Sequence, residues 1–175
     1  MTPDTRRANS PGGWPSARAY RHPYHPALVS IPIGAWSASL IFDIASRVVS
    51  APEFLTAGSR WLIGIGIAGA VAASVAGFVD LAALPEGTAA YRTACAHMAI
   101  NMLLIFAYVA NFGWRERVPA RAAPVSAGML ALSAVSIALL AVSGFLGGRL
   151  TYRYGAHVAD EATRAAGYRA GGRNA

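Results

Sequence analysis

Apolar residues fall into four long runs, and polar residues collect between the runs and at the chain ends. The first run opens inside RHPYHPALVSIPIG, residues 21–34, where a polar stretch turns apolar behind a His-Pro. It extends over about 27–49, and the others cover about 61–84, 93–113 and 125–148. At 1.5 Å per residue, runs of roughly 20 residues cross a hydrocarbon core of about 30 Å. The pattern predicts an all-α fold, an integral membrane four-helix bundle of up-down topology, occupying residues 25–158 as one domain. A flexible basic arm is expected over 1–24, with Pro11, Pro15 and Pro23 and no apolar run. A disordered Ala/Gly/Arg tail is expected over 159–175. No apolar segment closely follows Arg6-Arg7, so no cleavable leader is evident and span one should act as its own anchor.

Polar and small residues within the runs set further expectations. Pro32 is tolerable in the first turns of a membrane helix. Asp43 has Arg47 four residues on, so the two are expected to pair near the far boundary. Trp61 is read as an interfacial anchor. Gly69, Ala73 and Gly77, spaced by four, make a groove for a neighbouring helix, and Gly144 and Gly148 form a GxxxG pair suited to bundle packing or to a dimer. Asp80 lies about one turn before Pro85 closes span two. His97 and Asn101 share a face of span three, continued by Leu104 and Tyr108.

Composition agrees with a membrane protein: 55% of the residues are hydrophobic and 13% charged, about half the charge of a soluble domain. Fifteen basic residues, all Arg, against eight acids invite a nucleic-acid reading. The arginines are scattered over loops and tails without a groove-reading motif, so no nucleic-acid partner is expected. Headgroups of the lipid bilayer explain them better. Ten Arg fall on the side of the termini and five on the other, which favours cytoplasmic termini. Setting aside Arg6, Arg7, Arg169 and Arg173 leaves six against five. Cys95 is the single cysteine and is read as an inert buried thiol, since no disulfide or CxxC pair exists. No GxSxG, HExxH or Walker loop is present. GIGIAG over residues 64–69 lies in an apolar helix with no preceding strand, so it is packing and not a dinucleotide fingerprint.

Alternating topology puts His25, Asp80, His97, Arg149, Tyr152 and His157 at one end of the bundle. Ionisable groups in membrane spans are costly and mark either interior pairing or a functional path. Three readings stand open. In the first, Asp80 accepts from His97, His25 or a neighbouring backbone, forming a latch between helices. In the second, His25 and His97 are axial metal ligands of haem b, Asp80 is an acceptor behind them, Asn101 lines the site, and Arg21, Arg92 or Arg149 meets a propionate. In the third, the His and Asp groups carry protons or a metal ion.

The chain resembles a bacterial family of small membrane proteins known as a domain of unknown function, number twenty-two thirty-one. The resemblance rests on HPALVSIPIG at 25–34, GFVD at 77–80, HMAIN at 97–101 and GGRLTYRYG at 148–155. It implies a four-span fold in a bacterial inner (plasma) membrane and assigns no activity. Relatives that carry a Rieske-type iron–sulphur domain imply a redox partner and tilt the expectation towards haem-linked electron transfer. The alternative is a non-redox accessory protein with a latch or relay. A homo-oligomer is compatible with either. Two departures matter: Ser30 and Tyr154 stand where relatives often have His.

Overall fold

In the computed structural model, residues 24–118 and 124–156 are described. The expected arm up to residue 23, the tail and His157 lie outside the described residues, and Tyr24, the arm's last residue, is helical. The elements are α1 (Tyr24–Leu28), α2 (Ser30–Ala45), α3 (Glu53–Ala82), α4 (Ala89–Arg117) and α5 (Ala127–Tyr152). Among the described residues, α1 with α2, α3, α4 and α5 make four segments long and apolar enough to cross a membrane.

Local chemistry sets the ends. Span one runs through Val29, whose N–H bonds the His25 carbonyl at 3.0 Å, and only the Leu28 carbonyl loses its helical partner, because Pro32 has no N–H. Helix α3 begins earlier than the apolar run, behind Pro52, with Glu53 in its first turn facing the positive helix end. Thr88 caps α4 by accepting from the N–H of Tyr91, and Ser126 caps α5 from the N–H of Met129. Gly87, at φ +75°, supplies the left-handed residue of the turn between α3 and α4.

The interior holds an apolar cluster of Trp36, Ile63, Ala70, Leu104 and Tyr108 together with buried polar side chains, and the outer face is apolar. Ser39, Asp43, Ser59, Asn111 and Ser133 have no exposure, whereas Ile41, Phe54, Trp61, Phe106 and Phe145 face outward on their helices. Turning the polar side chains inward suits lipid, which satisfies apolar surface but no hydrogen bond. Small residues allow the close approach. A Cβ on Gly69 would lie 2.5 Å from Ile31, and one on Gly66 would collide with the indole of Trp36. On α5 the bundle-packing alternative needs correction, since a Cβ on Gly144 or Gly148 meets nothing within 4 Å, whereas an outward-facing pair remains compatible with the dimer alternative. The rotation of α5 turns Gly147 and Gly128 inward instead, against His97 and Trp114.

These contacts reveal two equivalent hairpins. In the first, His25 lies on Gly77 and Phe42 on Gly58; in the second, His97 lies on Gly147 and Trp114 on Gly128. The residues of the leading helices correspond at an interval of 72, and those of the following helices at an interval of 70. The leading helices run parallel and meet across the bundle in three layers, each joining residues 72 apart. His25 faces His97, Trp36 stacks on Tyr108 at 4.0 Å and 12°, and Asp43 pairs with Arg115. From His25 to Asp43 is about 27 Å of helix, so the layers sample most of a bilayer's depth.

Candidate functional site

The histidine layer is built by the same step in each hairpin. Nδ1 of His25 lies 2.9 Å from the Ala73 carbonyl on α3, and Nδ1 of His97 lies 2.9 Å from the Ser143 carbonyl on α5. A carbonyl only accepts, so Nδ1 carries the proton in each neutral imidazole, leaving Nε2 as acceptor. For His97 that acceptor is filled: the amide of Asn101 donates to Nε2 at 3.1 Å and to the His97 carbonyl at 2.9 Å. The second bond fixes the amide orientation, because the carboxamide oxygen would repel a carbonyl. The Ser143 hydroxyl adds a contact to Nδ1 at 3.0 Å. The rings of His25 and His97 stand 6.3 Å apart, nearly perpendicular at 84°.

His25, His97 and Asn101 are therefore brought together. The acceptors facing the imidazoles are helix carbonyls, where Asp80 was considered. Asp80 is half-buried near the end of α3, one turn past Gly77. Tyr152 is 91% exposed on the outer side of α5. Arg149 reaches Tyr154, donating to its hydroxyl at 3.4 Å. The Tyr154 phenol is held below its ordinary value of 10 by a hydrogen bond with Thr93, aided by Arg149 and Arg153. No group of three or more His, Cys, Asp or Glu side chains suited to a metal ion occurs among the described residues.

At the opposite end lies a second polar centre that the sequence reading did not assemble. The carboxylate of Asp43 accepts from Arg115 twice, at 2.9 Å and 2.7 Å, from Ser133 at 3.1 Å, and from Ser59. Asn111 accepts from Arg115 at 2.8 Å and donates to Ser133 at 3.0 Å and to the Met129 carbonyl. One carboxylate thus joins all four spans. The expected Asp43–Arg47 pair is not formed. Helix α2 ends at Ala45, so Arg47 falls in a turn and donates to the Val125 carbonyl at 2.7 Å. A signal was present: Ser39, Asp43 and Ser46 make a polar stripe on one face of span one, as do Asn111 and Arg115 on span three. In a membrane bundle such a stripe marks the inside.

Two polar layers so placed can close a bundle, hold a proton or orient an imidazole towards a ligand. The four-span architecture is also that of a family: residues 21–160 match the one described as predicted membrane protein, DUF2231, a domain of unknown function, and the chain belongs to it. No curated protein and no solved structure matches the chain.

Proposed function

We propose that the protein is a non-redox accessory component of a bacterial inner membrane, with cytoplasmic termini, whose histidine layer is an interhelical latch. One observation carries the reading. In both hairpins the leading imidazole donates Nδ1–H to a carbonyl of the following helix and lies on a glycine. A repeated arrangement with the His97 acceptor already filled by Asn101 serves packing without any further group. Interhelical hydrogen bonds of this kind contribute about 0.6–2 kcal/mol each in membranes.

A second reading, haem b held by His25 and His97, has its own support. Each Nδ1 is tied to a carbonyl, as in metal sites where that bond orients the ligating ring. Were haem b bound there, His25 and His97, whose rings are 6.3 Å apart, would be the residues to hold it, and it would supply electron transfer. Against it, His97 must first release Asn101.

The experiment is a dithionite-reduced minus oxidised spectrum of protein purified in mild detergent from haem-supplied cells, with unfolding of His25→Ala and His97→Ala. The latch predicts a featureless spectrum and a stability loss of about 1–3 kcal/mol in each variant. Soret and α bands that vanish in both variants would replace it with the haem reading. A featureless spectrum with unchanged stability would defeat both.

A further inference from the structure

We propose that a water molecule is bound inside the second hairpin, hydrogen-bonded to the phenol of Tyr108 on α4 and to the hydroxyl of Ser136 on α5. Tyr108 has no exposure, and its hydroxyl meets no hydrogen-bond partner among the described residues. A buried hydroxyl left unmet is costly, and a buried tyrosine ordinarily sets its own against a partner.

The antiparallel register of α4 and α5 brings a second hydroxyl to the same level. Asn111 donates to the Ser133 hydroxyl at 3.0 Å. Three residues back along α4 and three forward along α5, on the same faces, Tyr108 stands opposite Ser136. Ser136 is 2% exposed, so neither lipid nor bulk water reaches it.

Comparison of the two hairpins explains the unmet phenol. The equivalent positions in the first hairpin hold Trp36 and Gly66. Gly66 has no side chain, so the indole lies directly against α3 and its N–H reaches the Ile63 carbonyl at 3.3 Å. Ser136 puts a side chain where Gly66 leaves space. The phenol is thereby held off α5 and away from the Ser133 carbonyl, the counterpart of Ile63. The polar handle that backbone satisfies in the first hairpin needs another partner in the second.

Water has the chemistry for that place. It both donates and accepts, so it serves two hydroxyls whose protons can turn to suit it. A cation would need a carboxylate, and that of Asp43 is already taken by Arg115, Ser59 and Ser133. The hydrated point adjoins Asn111 and Ser133 one turn away, which extends the polar centre of Asp43 towards mid-depth in one hairpin alone. It lies about 16 Å of helix from His97 and does not depend on the latch.

The test uses the full-length protein in mild detergent. Tyr108→Phe and Ser136→Ala should each lower the ratio of folded to unfolded protein about fivefold or more, because each leaves the water short of a partner. The double variant should be no more than about twofold worse than the worse single one, since both changes empty the same site. An unchanged near-ultraviolet signal would show that Trp36 keeps its stack in the variants. In a structure of the parent at about 2 Å, ordered density should lie within hydrogen-bond distance of both oxygens. Tyr108→Phe at or above parental stability would overturn the proposal, because the hydroxyl would then be simply unmet. So would additive losses in the double variant, or density showing the two hydroxyls bonded directly to each other.

Discussion

Replacing Asp43 with Asn should be among the most damaging single changes in the chain. The side chain keeps its shape but loses its charge, and its NH2 now confronts a donor. Arg115 is left as a cation whose side chain is only 5% exposed. Removing one partner of such a buried pair costs about 3–5 kcal/mol in soluble proteins, mainly through the stranded charge. The hydroxyls of Ser59 and Ser133 lose an acceptor as well. Arg115→Gln should be comparably damaging, while Asp43→Asn with Arg115→Gln strands no charge. The double variant should therefore be about 2 kcal/mol less damaged than the sum of the two. Arg47→Gln loses, among the described residues, a bond to the Val125 carbonyl and should cost about 1 kcal/mol or less. Equilibrium unfolding in mixed micelles, followed by circular dichroism and by reactivity of the Cys95 thiol, gives all four values. Additivity of the first two variants within about 0.5 kcal/mol, or a larger loss in Arg47→Gln than in Arg115→Gln, would refute the four-span centre.

Two further outcomes follow from local geometry. Gly66→Ala drives a Cβ into the Trp36 indole, which must leave both its stack on Tyr108 and its bond to the Ile63 carbonyl; a loss of about 1–3 kcal/mol and a weakened near-ultraviolet aromatic signal are expected. Gly144→Ala meets nothing, so it should be neutral or raise stability by up to about 1 kcal/mol through helix propensity; the reverse ranking would contradict the rotation of α5. In a spectrophotometric tyrosine titration, one phenol should ionise below the ordinary value of 10. Tyr154→Phe should remove that step, and a titration identical to the parent's would discard the contact with Thr93 and Arg149.

The number of spans, their places and the up-down order were legible because apolar length is a local property of the chain. The shared end of His25, His97 and Asn101 was legible too, from topology alone. Rotation was not. Lipid and bundle interior are both apolar, so hydropathy does not say which face of a membrane helix turns inward. That is why Gly144 and Gly148 looked like the packing pair while Gly147 and Gly128 do the packing. It is also why Asp43 was matched to its neighbour Arg47 and not to Arg115, 72 residues away. The repeat escaped for another reason. Spacings of 11 and 7 residues link His25, Trp36 and Asp43, and again His97, Tyr108 and Arg115, but only the histidine is the same residue in both.

The duplication explains why the polar residues sit where they do. Within a hairpin, the two helices run side by side and glycines suffice to bring them together, because side chains such as His25 and Phe42 fill the space a Cβ would take. Between hairpins, the parallel leading helices face each other across the bundle axis and must be joined by side chains long enough to reach. In water, apolar side chains would join them, driven by burial. In lipid that drive is absent, so specificity has to come from geometry and from polar pairing. The mid-depth layer uses flat stacking, Trp36 on Tyr108, which needs no hydrogen bond across the axis. The end layers can be polar because water and headgroups lie within a turn or two, lowering the cost of imidazole and guanidinium groups there. At one end the two equivalent positions hold a carboxylate and a guanidinium, which attract. At the other both remained imidazole, and two imidazoles can sit edge to edge only if at least one is neutral. The amide of Asn101, which donates to Nε2 of His97, suits that neutral form. Among the described residues the hairpins are thus joined at one end by opposite charges and at the other by two imidazoles.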